Sequence, residues 1–410
     1  MERIVARAGG LDVHKDVIVA EAHLSGGVVK RGRFATTTPG LLVLRDWLVE
    51  LGVTRVGIES TGVYWKAPYY MLEEAMEVWL LNARHMRNIP GRKTDVSDAS
   101  WICQLIEFGL VRPSFVPPKP IRELRNLTRY RKAQIEERTR EAQRLDKILQ
   151  DAGMKLSSVA SDLLGKSSRA MLDALVAGTT DTTVLADLAR GKLRKKIPAL
   201  REALTSRFSG HHAVIVTSIF SKLDFLDELI TSLSAEIDTA ITPFAHQIHL
   251  LDTIPGIDQR TAQGLLAEIG TDMSVFATAS RLASWAGVCP GNHESGGRSR
   301  SGATRKGPKW LGIYLHDAAM GALRAKNTYL AAQYARLRPR LGHAQALVAV
   351  EHSILVSIFY MLQRNQPYHD LGADYFIRRE DPARRARKLI RQLEAIGYTI
   401  QAQPPPPAAA

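Results

Sequence analysis

The chain has 410 residues, 45% of them hydrophobic, enough to fill real cores and to build more than one domain. Lys and Arg number 55 against 41 Asp and Glu, a formal net charge of +14 that points to a polyanionic partner such as DNA, RNA or, as the weaker reading, an anionic membrane. No run approaches the ~18 consecutive apolar residues of a membrane span, and "MERIVARAGG" lacks the apolar core of a secretion signal, so a cytoplasmic protein with no membrane partner is expected.

The first three elements form a meander by pattern. "AGGLDVHK" and "DVIVAEAHL" are β-branched and apolar, "SGG" marks a turn, and "VVKRGRFATT" alternates apolar and polar residues. A helix is predicted from about Thr38 to Leu51, with Pro39 in its first turn and Leu41, Leu42, Leu44, Leu48 and Leu51 on its apolar face. "TRVGIES" reads as a buried strand, "VYWKAPYYMLEEA" as a helix despite Pro68, and "EVWLLN" as a strand. "VSDASWICQLIEFG" reads as a helix closed by Gly109. The predicted order over residues 1–112 is βββαβαβα, an α/β domain.

Residues 113–247 read as a basic helical and coiled-coil region. Between 119 and 150 a helical pattern carries Arg122, Arg125, Arg129, Arg131, Lys132, Arg138, Arg140, Arg144 and Lys147; with fewer acids nearby, nucleic-acid backbone contact is preferred over a merely solvated face. A basic run, "KLRKK", follows at 192–196 and adds Lys195 and Lys196 as candidate contacts. Val216, Ile219, Leu223, Leu226, Ile230, Leu233, Ile237 and Ala240 hold the seam of a coiled coil, which fits either packing inside one subunit or a dimer contact.

Residues 248–365 form the next region. "HLLDTIPGIDQRTAQGLLAEIG" places Pro255 and Gly256 in a tight turn between two apolar helical patterns, like a helix-hairpin-helix whose turn amides hold a phosphate; an ordinary helical hairpin gives the same pattern. A glycine-rich loop at 287–307 precedes a helical run from Pro308 to about Leu362. Residues 366–410 hold a basic helix, "DPARRARKLIRQLEAIG", and the tail "QPPPPAAA", read as disordered.

The chemistry gathers on acids. Asp12 lies in the first strand, Glu59 ends "VGIES", and Asp95 and Asp98 are three apart at a helix start, a spacing that shares one helix face. If the order folds as an RNase H-like sheet, strands one and four are neighbours and all four carboxylates converge. Such a group repels itself unless cations neutralise it, and oxygen-only ligands favour Mg²⁺ or Mn²⁺, two of which clamp phosphodiester chemistry. Plainer readings exist: Asp95 or Asp98 as a helix cap, and Asp12 as a solvent-facing edge residue. His14 beside Asp12 could support that acid from outside a metal site, but a packed or solvated histidine is preferred. His211, His212, His246 and His249 have no cysteine or acid cluster near them in sequence, and Cys103 and Cys289 lack zinc or disulfide spacing, so none is expected to bind metal.

"GLDVHKD", "GIESTGVYW", "KTDVSDA", and downstream "IPGI" through "LLAEIG" with "WAGVCPGNHESGGRSRSGATRKGPKWL" together resemble the insertion-sequence transposases of the DEDD type, from about residue 8 to 395. This family is related to the Piv DNA invertases and described as bridge-RNA-guided serine recombinases. The resemblance implies a RuvC-like N-terminal domain in which Asp12, Glu59, Asp95 and Asp98 bind two Mg²⁺ or Mn²⁺ ions, and a C-terminal domain that brings a serine. Aligning Gly287, Pro290, Gly296, Lys306 and Gly307 to the family pattern makes Ser295 the nucleophile, with Ser299 and Ser301 as alternatives. Pro308 and Lys309 depart from that pattern.

The loop itself offers Arg298, Arg300, Arg305, Lys306 and Lys309 for phosphates but no base, so on residues alone it is a flexible basic loop touching DNA. The resemblance further implies element and target DNA, a structured guide RNA, a dimer pairing into a tetramer, and a nucleoid-associated life in a prokaryotic cytoplasm. Three rivals remain: a junction-resolving nuclease using only the four acids and water, a non-catalytic nucleic-acid scaffold, and a sugar kinase-like fold, which lacks a later glycine-rich phosphate loop.

Overall fold

Period-two alternation in the first 35 residues produces three strands. β1 (Ala8–Val13), β2 (Val17–His23) and β3 (Val29–Ala35) join β4 (Arg55–Glu59) and β5 (Glu77–Leu81) in one sheet of order β3-β2-β1-β4-β5 in this computed structural model. The structure describes residues 3–59, 62–83, 86, 89, 98–291, 294–295, 298–299 and 302–400, with 294, 295, 298 and 299 described by their backbone. The chain divides into two units, Met1–Pro117 and Pro118–Ala410.

In the first unit β1 runs antiparallel to β2 and β2 to β3, whereas β1 is parallel to β4 and β4 to β5. This mixed sheet is compatible with an RNase H-like domain. One face packs Leu11, Ile18, Ala20 and Ile58 on Leu41, Leu44 and Leu48 of α1 (Thr38–Glu50). The α1 start is capped by Thr37, whose hydroxyl accepts from the Gly40 amide. The helix expected through "VYWKAPYYMLEEA" is shorter, α2 (Lys66–Leu72). Pro68 falls in its first turn, where amides have no intrahelical acceptor and a missing N–H costs nothing. The other face of the sheet packs on α3 (Asp98–Glu107), through Trp101, Ile102, Cys103, Leu105 and Ile106.

The second unit is helical. Its two longest early helices, α4 (Lys119–Asp151) and α9 (Gly210–Ala240), pack on each other. Between them α5 (Leu156–Val159), α6 (Lys166–Val176), α7 (Thr182–Asp187) and α8 (Ile197–Leu204) enclose a core that includes Leu149, Met171, Leu172, Leu185, Leu200 and Val216. Val216, Leu223, Leu226, Ile230 and Ile237 of the predicted seam are buried, and Arg138 to Asp227 and Lys222 to Glu137 pair the two helices. The seam is thus covered inside the chain, as in the first of its two readings, and is not left open for a dimer contact. Period alone fixes the apolar stripe but not its partner.

Helices α10 (Ala245–Asp252) and α11 (Gln259–Ile269) flank the Pro255–Gly256 turn, and α12 (Ala279–Ala286) leads to the glycine-rich loop. The single helical run expected after Pro308 is two helices, α13 (Lys309–Ala322) and α14 (Tyr329–Arg364), separated at Asn327, whose φ is 59°. α14 is long and apolar enough by composition to cross a membrane. It is interrupted at Gly342 and buries Leu347, Val350, Ile354, Leu355 and Ile358 within its own unit. α15 (Tyr375–Arg378) and α16 (Pro382–Ala395) complete the described chain. The tail expected to be disordered lies outside the described residues.

Candidate functional site

Two glycines let α3 lie directly on the sheet. A Cβ on Gly10 would sit 2.1 Å from the Ala99 carbonyl oxygen, and one on Gly57 would sit 2.7 Å from Ile102 Cγ2. Gly10 and Gly57 are paired across the parallel β1 and β4, as are Leu11 and Ile58. Side chains alternate between faces, so Asp12 and Glu59, each two residues further along, share the α3 face at the carboxyl ends of neighbouring strands. Cys103 contacts the Ala8 carbonyl and Ala99 lies on Gly10. The same progression carries Asp12 towards the first turn of α3, where Asp98 stands half-buried. Three of the four predicted acids are therefore brought to one end of the sheet; Asp95 lies outside the described residues.

Asp12 is 26% exposed at its side chain and takes a 3.1 Å contact from Nε2 of His14. His14 is itself exposed, as expected of a solvated neighbour, and contacts this acid. An all-carboxylate set of hard oxygen donors, with a histidine contacting one of them from outside, fits Mg²⁺ or Mn²⁺.

Behind this edge lies a charged network that the sequence reading missed. On β2, buried His23 places Nε2 3.0 Å from Oε1 of Glu21 and Nδ1 3.0 Å from Oε2 of Glu107 on α3. Each ring nitrogen thus faces one carboxylate oxygen. Arg31 donates to Glu21 at 2.7 Å, and Arg3 Nε lies 2.7 Å from Glu107 Oε1, an ion pair outside hydrogen-bond alignment. Burial pushes the Glu21 carboxyl up, but hydrogen bonds from Ser100, Arg31 and His23 outweigh it and hold the group below its ordinary value. Since Ser100 and Glu107 are on α3, this network fixes α3 on the sheet and with it Asp98. The available signal was Glu21 itself, a charged residue at a core-facing position of the apolar "VIVAEAH". Burial pushes the Cys103 thiol up to about 12, consistent with an inert packed residue.

Ser295 sits in a clamped loop of the second unit. α12 ends at Gly287 in the left-handed region, φ 78°, and a Cβ there would meet the Gly307 amide nitrogen at 2.6 Å. A Cβ on Gly307 would in turn meet the Ala286 carbonyl oxygen at 1.9 Å. The two glycines close the loop backbone to backbone, and the Gly291 amide donates to the Ala303 carbonyl at 3.1 Å. Within it β6 (Glu294–Ser295) pairs with β7 (Arg298–Ser299), Ser295 opposite Arg298. Gly296, Arg300 and Ser301 lie outside the described residues.

The basic residues divide into two groups. Arg129 grips buried Glu268 with two hydrogen bonds of 2.6 and 2.7 Å, and Arg125 donates to the carbonyls of Ala267 and Glu268. Lys132 pairs with Asp317 at 2.6 Å, and Arg122 and Arg131 are buried, the latter donating to Gln263. Arg125, Arg129, Arg131 and Lys132 thus bind α4 to α11 and α13. Lys195, Arg305, Lys306 and Lys309 are exposed, Lys309 over the Trp310 ring, whereas Lys196 donates to the Val159 carbonyl.

At the candidate phosphate turn, Gly256 has φ 93°, and a Cβ there would meet the Ala322 amide nitrogen at 2.0 Å. Its glycine identity is thus set by packing on α13. The Thr261 amide at the start of α11 already donates to Asp258. A cavity of about 160 Å³ beside it is lined by Arg131, Lys132 and Arg260 but also by Asp258 and Asp317, a mixed-charge lining.

Residues 9–154 match the family described as Transposase, of the DEDD IS110 type, and residues 248–335 match the Transposase IS116/IS110/IS902 family. The chain is similar to the "Insertion element IS110 uncharacterized 43.6 kDa protein" of Streptomyces coelicolor, 35% identical over 156 residues that make up 37% of each chain. It is also similar to the "Pilin gene-inverting protein" of Moraxella bovis, 51% identical over 51 residues, 12% of this chain and 16% of the relative. The matches thus span well under two thirds of either relative. The two family matches cover both the sheet that carries Asp12 and Glu59 and the hairpin turn at Gly256, and the chain belongs to the IS110 family of insertion-sequence transposases.

Proposed function

We propose that this protein cuts and rejoins DNA during movement of an insertion sequence, with Ser295 as nucleophile and Asp12, Glu59, Asp95 and Asp98 as the ligands of two divalent ions. The observation that carries the reading is the placement of Asp12 and Glu59 side by side on one sheet face, at the end where Asp98 opens α3. Bound there, Mg²⁺ or Mn²⁺ supplies Lewis-acid stabilisation of charge building on phosphate oxygens.

The Ser295 hydroxyl oxygen attacks phosphorus and forms a phosphoserine ester as the bond to the 3′-oxygen breaks. The departing oxygen takes up a proton and leaves as a 3′-hydroxyl. The ester retains the energy of the broken bond, so reversal by another 3′-hydroxyl rejoins strands without ATP. The Gly287–Gly307 clamp would hold the serine loop in place, and the exposed Arg305, Lys306, Lys309 and Lys195 would contact phosphates, with Arg298 and Arg300 as further candidates in the same loop. Arg122, Arg125, Arg129, Lys132 and Lys196 serve packing in this reading, and the Gly256 hairpin contacts nucleic acid only through its outer backbone.

The family resemblance supports a structured guide RNA that supplies sequence choice by base pairing, and a dimer or tetramer in which one copy's serine loop meets another's carboxylates. With the α9 seam buried, the subunit contact must use another surface.

Incubation with Mg²⁺, flanking RNA and a circular donor should give a DNA adduct on Ser295 by mass spectrometry. Ser295→Ala and Asp98→Ala should each abolish it while nucleic-acid binding persists. Normal strand cutting by Ser295→Ala would instead support the nuclease that uses the acids and water alone.

A further inference from the structure

A second cluster of ligating groups stands in the helical unit, where the end of α4 meets the start of α9. Asp151 is the last residue of α4, and His211 and His212 lie in the first turn of α9, Asp151 and His212 being 61 positions apart in sequence. One ligand atom from each of the three lies within 4.8 Å of the others, and among the described residues no other set of three His, Cys, Asp or Glu groups is so placed. The sequence offered the two histidines without an acid; the fold delivers one.

The geometry is more specific than proximity. His212 Nε2 lies 3.3 Å from Asp151 Oδ2. A tetrahedral ion with bonds of about 2.0–2.1 Å spans roughly this distance between two of its ligands. Ser209 Oγ is 2.9 Å from His211 Nδ1 and 3.0 Å from His212 Nδ1, the latter on the side of its ring away from Asp151. The Ser209 hydroxyl oxygen already accepts from the His212 backbone amide, and its remaining lone pair can accept Nδ1–H from one ring, leaving that ring's Nε2 as an acceptor. Histidines that bind metal are held in this way, donating their other nitrogen to a nearby oxygen.

The Ser209 amide also approaches His212 Nδ1, at 3.2 Å. That contact favours the alternative tautomer, whose Nε2–H donates to Asp151, so a cation and a proton compete for the same place. Phe208 stacks on the His212 ring with centroids 5.5 Å apart and limits its rotation. The partial positive charge at the α9 start, which opposes a cation, is offset by the carbonyl end of α4 and the Asp151 carboxylate. His211 and Asp151 are exposed, leaving room for water ligands.

We propose that Asp151, His211 and His212 form a transition-metal site of the Zn²⁺ class that ties the ends of α4 and α9 and closes the segment carrying α5–α8. Two imidazoles and one carboxylate prefer Zn²⁺, Ni²⁺ or Cu²⁺ to Mg²⁺, so the site is chemically separate from the all-oxygen carboxylates of the first unit.

The test uses the full chain, stripped with a chelator and kept in saturating Mg²⁺. Zn²⁺ titrated by calorimetry should bind at one ion per chain and raise the melting temperature. His211→Ala and Asp151→Asn, both at exposed positions that leave the core intact, should weaken binding at least about tenfold and abolish the thermal shift. Ser209→Ala should weaken it by about 10–100-fold, the usual cost of losing an oxygen that orients a ligating histidine. Co²⁺ in place of Zn²⁺ should give a visible absorption band in the parent chain that is lost in His211→Ala. Absence of stoichiometric binding overturns the proposal. So does binding that persists unchanged in His211→Ala and Asp151→Asn, which assigns the ion to others of the 12 histidines.

Discussion

The two units treat their ionisable residues in opposite ways. In the sheet unit, Glu21, His23, Glu107 and Arg31 satisfy one another behind the strands, while Asp12 and Glu59 are presented at strand ends. In the helical unit the dense cations of α4 are drawn inward: Arg125 and Arg129 close on Glu268, Lys132 on Asp317 and Arg138 on Asp227. Charge that looks available in sequence is consumed there by packing, whereas Asp12 and Glu59 of the sheet unit stand together at one end of the sheet. A net charge of +14 points to a polyanionic partner but does not point to the densest basic helix as its contact.

The largest expected effect tests the presented acids. Asp12→Asn should lower strand cleavage and adduct formation at least about 10³-fold, as expected when a member of a group acting as a unit is removed. Its melting temperature should hold or rise, because one of several mutually repelling carboxylates loses its charge. A variant that keeps activity but melts early would return Asp12 to a structural role.

Arg129→Ala tests the opposite group. It leaves the buried Glu268 carboxylate with one fewer partner, and since Arg129 is 30% exposed, a cost of about 1–3 kcal/mol in urea unfolding is expected, below the full cost of breaking a buried pair. The salt dependence of DNA binding should not change. A salt slope that falls while stability holds would show the guanidinium facing phosphate after all.

These contrasts also explain what was legible in the residues. The strands follow from period-two alternation, a local property, whereas the meeting of Asp12 and Glu59 follows only if the βββαβαβα order takes the RNase H-like arrangement. The destination of a cation is not local: Arg129 and Glu268 are 139 positions apart, and nothing in "RELRNLTRYRK" identifies that partner. The α9 stripe was equally clear and its partner equally hidden. Glu21 and Glu107 are hidden because apolar alternation marks a buried face and not the charged pair that shares it. The acid that meets His211 and His212 ends a helix on the far side of α5–α8, so no local pattern joins the three.

A smaller effect concerns the network behind the acids. Glu21 has a folded-state value held below its ordinary 4.5, so its contribution is present above that pH and is lost as pH falls through the depressed value. The sheet unit should therefore lose stability below about pH 4.5, and Glu21→Gln should flatten that limb of the pH–stability curve. Because the same network fixes α3, Glu21→Gln should also lower cleavage at neutral pH, with Glu21→Asp giving partial recovery. An unchanged acid limb would mean that Ser100, Arg31 and His23 do not hold the carboxylate charged.

The smallest expected effect separates an exposed cation from a consumed one. Lys306 lies beside the Gly287–Gly307 clamp with its side chain exposed. If it neutralises one phosphate, Lys306→Ala should lower the slope of log K against log salt by about 0.7–0.9, roughly one released counterion, without changing unfolding. Arg129→Ala should do the reverse, and the pair of measurements divides the basic residues by what they do rather than by where they cluster. An equal fall in slope for both would mean that the helix-packing cations also reach nucleic acid, and would dissolve the distinction between the two groups.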